Sequence, residues 1–83
     1  MYSIEYTPAA VRDLKALERR IQAQVLKRIE TLQEHPTPHG VEKLTDRYEY
    51  RLRSGDYRVL FAIDFHGRRV IIGRVRHRRE VYR

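Results

Sequence analysis

Residues 48–65 read YEYRLRSGDYRVLFAIDF, and this stretch decides the fold. Apolar and polar residues alternate on both sides of Ser54-Gly55-Asp56, which predicts a β-hairpin closed by a two-residue turn with Gly55 first. The cross-strand pairs are then Ser54 with Tyr57, Arg53 with Arg58, Leu52 with Val59, Arg51 with Leu60 and Tyr50 with Phe61. A one-residue slip would set Leu52 against Arg58 and Arg53 against Tyr57, so the alternation selects the unslipped register. One face of the hairpin holds Tyr50, Leu52, Val59, Phe61 and Ile63. The other gathers Glu49, Arg51, Arg53 and Arg58. Like charges directly opposite each other across strands are destabilising, so this crowding of guanidiniums points to an anionic partner.

Charge along the chain agrees with that reading. The net +7 of the 83 residues lies in the second half: residues 1–46 are neutral overall, and residues 47–83 hold eleven arginines and no lysine. Arginine suits bidentate, weakly hydrated phosphate contacts. There is no cysteine, which excludes a disulfide scaffold, a thiolate zinc site and a cysteine nucleophile. His35 and His39 have the spacing of helical metal ligands, but Pro36 and Pro38 forbid that helix, so no metal is expected. The absence of a glycine-rich phosphate loop gives no reason to expect a cofactor. No apolar run approaches the roughly 20 residues of a membrane span, and MYSIEYT lacks the regions of a signal peptide. The expectation is a cytoplasmic protein of one domain, residues 1–83, with no membrane partner.

Outward from the hairpin, residues 2–6 alternate as a short first strand. Thr7-Pro8 reads as an N-cap followed by proline at the first helical position. Ala10, Leu14, Leu17, Ile21, Val25, Ile29 and Leu32 then form one apolar stripe. As a single helix the stripe would be about 39 Å long at about 1.5 Å per residue, too long for a chain whose radius of gyration should be near 12 Å. A break is expected around residues 18–20. The segment from Val41 to Arg47 leads into the hairpin, and His66-Gly67 marks a second turn. A last strand covers residues 69–75, with Val70 and Ile72 on the core side and Ile71 and Val75 opposite. The fold class is α+β, β-α-α-β-β-β, a helical hairpin packed on one face of a mostly antiparallel four-stranded sheet.

IEYTPAAVRDLKAL at the start, P-x-P-x-G followed by KL, LRSGDYRVLFAI in the middle and HRREVYR at the end together resemble the RelE/ParE superfamily of bacterial toxins from toxin-antitoxin pairs, over nearly the whole chain. The resemblance implies the same β-α-α-β-β-β fold and a cognate antitoxin whose acidic or amphipathic segment wraps the toxin. It also implies one of two activities. RelE-like members enter the ribosomal A site and cleave the mRNA there; ParE-like members poison DNA gyrase without nuclease activity. The residues that mark the RelE-like branch correspond here to Arg51, Arg58, Arg78 and Tyr82, with Glu49 where that branch has a further lysine. The YoeB-like branch uses a glutamate before the hairpin and a histidine near the end, matched here by Glu42 and His77. The RelE-like branch is the expectation: a ribosome-dependent, metal-independent endoribonuclease that inhibits translation and leaves a 2′,3′-cyclic phosphate or 3′-phosphate and a 5′-hydroxyl.

Such cleavage needs a base for the ribose 2′-OH, positive charge on the phosphate and a proton for the departing oxygen. Arginine cannot be the base. Arg51, Arg58 and Arg78 are therefore expected to hold the phosphate, and Lys43, Arg53, Arg74, Arg76 and Arg79 to contact RNA. Proton transfer falls to Tyr82 or His77, and Tyr82 is favoured because neighbouring guanidiniums stabilise a tyrosinate.

Overall fold

A computed structural model describes residues 1–37, 41–43 and 48–81. Its elements run β1 (Ser3–Tyr6), α1 (Pro8–Lys15), α2 (Arg19–Glu30), a 3-10 turn (Thr31–Gln33), β2 (Val41–Lys43), β3 (Tyr50–Ser54), β4 (Tyr57–Asp64), β5 (Arg69–His77) and α3 (Arg78–Val81). The β3–β4 hairpin has the register that the alternation selects, from Tyr50 opposite Phe61 to Ser54 opposite Tyr57. Gly55 carries the turn at φ +57°, a left-handed conformation that glycine adopts without the penalty of a Cβ.

The sheet has five strands in the order β1-β5-β4-β3-β2, one more than the four expected. The added strand, β2, pairs antiparallel with β3, Val41 opposite Leu52; three residues are too few for a period of two to stand out. The β1–β5 pair is parallel and the other pairs are antiparallel.

The apolar stripe does break, at residues 16–18. The Leu14 carbonyl at the end of α1 accepts from the Leu17 N–H at 3.2 Å and from Gln22 Nε2 at 2.8 Å, which ties α2 to the end of α1. Both helices then lay Leu14, Val25 and Ile29 against Leu52, Val59, Phe61, Val70 and Ile72, all buried. Tyr50 and Phe61 stack beside this core with centroids 5.6 Å apart. Thr7 begins α1 and ties it to the sheet: its Oγ1 accepts from Ala10 N–H at 3.1 Å and donates to the Gly73 carbonyl at 2.8 Å.

A β-bulge changes the phase of β5. Phe61 faces Ile72 while Leu60 faces Arg74, so Gly73 has no cross-strand partner. Val75, expected on the outer face, therefore turns inward opposite Val59 and joins the core at 4% exposure. One extra residue shifts every later side chain to the other face. Gly73 also makes room for Tyr48, whose ring a Cβ there would overlap.

β1 accompanies β5 only as far as Ile72, and Asp13 from α1 covers part of the edge beyond. Its Oδ2 accepts from Val75 N–H at 2.9 Å and from Arg74 Nε at 2.8 Å, and its Oδ1 from Arg74 at 3.2 Å. Partial burial pushes the Asp13 carboxyl up, but the hydrogen bonds from Arg74 and Val75 and the charges of Arg74 and Arg76 outweigh it and hold the carboxyl below its usual range. A depressed folded-state pKa contributes stability that is complete above the unfolded value near pH 4 and is lost as pH falls through the folded value. Asp13→Ala is thus expected to destabilise the protein by about 2 kcal/mol at neutral pH. In urea titrations the gap to wild type should narrow as pH drops below about 4.

Candidate functional site

The face of the sheet opposite the helices carries guanidiniums in rows set by strand register. Arg58 on β4 lies between Arg53 on β3 and Arg76 on β5. In the next row Leu60 lies between Arg51 and Arg74. Beyond them Ala62 faces Ile71, both half-buried, so one end of the face is cationic and the other apolar.

Arg58 is 6% exposed, which the polar pattern of its strand did not reveal. Its Nη1 donates to the carbonyls of Gly55 and Tyr57, both at 2.9 Å. Its buried Nε has no partner, and among the described residues it forms no ion pair with a carboxylate. Burying a cation without an anion is costly, and the two carbonyl acceptors offset part of that cost.

The other arginines differ in how far they are committed. Arg51, 13% exposed in its side chain, forms an ion pair with Glu42, directly opposite on β2. The two residues that the resemblance assigns to different branches therefore touch. Arg74 is drawn to the sheet edge by Asp13, and Arg76 pairs with Glu80 at 3.2 Å. Arg53 is exposed, and its carbonyl accepts from both Nε and Nη2 of Arg28 at 3.2 Å. Arg78 opens α3, with its N–H on the Asp56 carbonyl at 2.8 Å and its Nε 3.7 Å from Asp56 Oδ1. Lys43 shares the phase of Tyr50 and lies off the arginine face. Tyr82 lies outside the described residues, as do parts of the P-x-P-x-G and KL motifs.

His77 stands at the end of β5, its ring edge-on to Tyr57 with centroids 5.3 Å apart. A cleft of about 240 Å³ beside it is lined by Asp13, Tyr57, Arg74, Arg76, His77 and Glu80, among others. Sequence reasoning passed over Asp13 and Glu80, and it offered Asp56 as a partner for His77, whereas Asp56 meets Arg78. Only Glu80 had a local signal, its place three residues after His77, the spacing of a capping box.

The sequence model of the family described as ParE toxin of type II toxin-antitoxin system, parDE, matches residues 4–82. The chain belongs to this family. Solved structures agree with it. A chain of the RelBE2 toxin-antitoxin complex from Mycobacterium tuberculosis is 33% identical to the toxin, over 92% of the toxin and 96% of that chain, with a TM-score of 0.80. The RelE–RelB complex from Pyrococcus horikoshii gives 25% identity over 93% and 94% of the two chains, with a TM-score of 0.81. Isolated RelE from E. coli, 24% identical over 99% of the toxin and 92% of that chain, has the same fold with a TM-score of 0.77. No curated protein matches the sequence. No helix among the described residues is long and apolar enough to cross a membrane.

Glu42 sets part of the field on the arginine face. Removing its charge should strengthen polyanion binding, because each carboxylate among the guanidiniums offsets one of them. Glu42→Gln should elute from heparin at higher salt than wild type and Arg53→Ala at lower salt. Arg53→Ala should keep stability within about 1 kcal/mol, since its side chain is exposed, and in Glu42→Gln the amide oxygen can still accept from the largely covered Arg51.

Proposed function

We propose that the toxin is a ribosome-dependent, metal-independent mRNA endonuclease of the RelE type that inhibits translation. The observation that carries this reading is the row Arg53–Arg58–Arg76, with the Arg58 guanidinium buried at its centre and bonded, among the described residues, only to main-chain carbonyls. Polar groups aimed in advance at developing charge are the largest single source of rate in such reactions. In-line attack of the ribose 2′-oxygen on the adjacent phosphorus breaks the bond to the 5′-oxygen and leaves a 2′,3′-cyclic phosphate and a 5′-hydroxyl. Arg51, Arg58 and Arg78 hold the phosphoryl oxygens as their charge rises. Tyr82 takes the 2′-OH proton, a solvent water gives one to the departing 5′-oxygen, and Arg53, Arg76 and Arg79 contact RNA phosphates.

A cognate antitoxin is the second partner in this reading. Solved structures similar to the toxin are toxin-antitoxin complexes. An arginine row bordered by half-buried Leu60, Ala62 and Ile71 suits an acidic amphipathic segment. That segment competes with RNA for the face and raises the melting temperature through binding linkage.

The matching family carries the name ParE, and this favours a second reading, in which the chain binds DNA gyrase and performs no chemistry. Brief induction in cells separates the two, with mRNA 5′ ends mapped against ribosome position and gyrase supercoiling assayed in parallel. New 5′ ends at the A site with normal supercoiling support the nuclease; intact mRNA with lost supercoiling replaces it with the gyrase reading. Within the nuclease reading, Arg58→Ala should slow single-turnover cleavage about 10²-fold or more. A melting curve recorded alongside separates that loss from the loosening of the turn that Arg58 ties. Tyr82→Phe should slow cleavage while leaving ribosome affinity nearly unchanged, since binding rests on the arginines.

A further inference from the structure

We propose that His77 serves the site as the N-cap of α3, a positioning residue for the C-terminal segment, and that it does not transfer the proton. The inference rests on the nuclease reading for its consequence in catalysis, but its geometry stands apart from it. His77 Nδ1 accepts the Arg79 N–H at 3.2 Å, and Glu80 Oε1 accepts the His77 N–H at 3.3 Å. This is a variant of the capping box, with an imidazole nitrogen in place of the usual hydroxyl oxygen and the second helical amide, Arg79, in place of the third.

The cap is one of three acceptors that meet the donors where β5 passes into α3. The N–H groups at the start of a helix have no intrahelical acceptor. Here three consecutive donors find one each: His77 N–H on Glu80, Arg78 N–H on the Asp56 carbonyl at 2.8 Å, and Arg79 N–H on the His77 ring. The Tyr57 ring holds the imidazole edge-on, and Glu80 Oε2 also takes Arg76 Nε at 3.2 Å. Arg76 and Arg78, which the proposed function places against RNA, thus hang on one network whose acceptors are Glu80, His77 and the turn at Asp56.

The same bond limits what the ring can do. A nitrogen whose lone pair accepts a backbone N–H cannot also carry a proton, so the neutral imidazole bears its proton on Nε2. Loading a proton on Nδ1 would break the cap and release the first turn of α3. An imidazole that shuttled protons through Nδ1 would undo the segment that presents Arg78 in each turnover.

Two substitutions separate cap from proton carrier. Asparagine is among the best N-cap residues and does not titrate, whereas alanine neither caps nor titrates. Single-turnover cleavage of mRNA on programmed ribosomes is measured for the full chain, His77→Asn and His77→Ala, together with hydrogen exchange of the Arg79 amide. The expected result is a loss of roughly tenfold in rate for alanine, the order of a lost cap, with recovery to within about twofold for asparagine. Arg79 protection should be kept in wild type and in His77→Asn and lost in His77→Ala. Equal slowing by both substitutions overturns the proposal in favour of proton transfer, and wild-type rates in both overturn it as well. If the wild-type chain cleaves nothing, the nuclease reading fails by itself. Exchange then still decides the cap: Arg79 protection lost only in His77→Ala upholds it, and equal exchange in all three proteins overturns it.

Discussion

Three guanidiniums abreast on adjacent strands, Arg53, Arg58 and Arg76, are the constraint on which the rest of the structure depends. Like charges directly opposite in a sheet repel, and a small domain has little stability to spare. Around the row each neighbouring group relieves part of the repulsion. Gly55 and Tyr57 turn their carbonyls to Arg58, and Glu80 takes Arg76. Arg53, at the sheet's exposed side, has solvent to screen it. No carboxylate among the described residues pairs with Arg58. Two main-chain carbonyls are the acceptors that hold its guanidinium in place.

The turn that closes the β3–β4 hairpin joins fold to site. Its register follows from alternation, its conformation from Gly55, and its carbonyls hold both Arg58 and the start of α3. The same four residues that end one hairpin thereby locate Arg78, more than twenty positions later in the chain. Asp13 and Thr7 do a matching job between α1 and β5. They satisfy donors and acceptors of β5 where β1 has stopped pairing with it, so α1 is fixed to the strand that leads into His77.

Much of this was legible in residue pattern alone. The pairs from Tyr50–Phe61 to Ser54–Tyr57 followed from a period of two, because one slipped residue would have exchanged core for surface. The helical break followed from length, although its site came two residues earlier than the centre of the expected range. What stayed hidden has physical causes. β2 is three residues long, and a strand that short has no period to read. The bulge at Gly73 inserts one residue that no alternation marks, and Val75 moved to the core in consequence. The burial of Arg58 arises from side-chain folding onto a turn, which depends on χ angles and not on phase. The partners of Arg51, Arg74 and Arg76 are set by tertiary contact, apart from Glu80, whose capping spacing was on the page.

Attack by the ribose 2′-oxygen on a phosphate held by arginines is the central claim of this account, and the 2′-hydroxyl of the nucleotide before the scissile bond is its one indispensable group on the substrate. Its most direct test is single-turnover cleavage on ribosomes programmed with two mRNAs that differ only in a 2′-deoxy sugar at that nucleotide. The account predicts that the all-ribose message is cut there and the deoxy message stays intact at that bond. Cleavage of both at the same rate would contradict it.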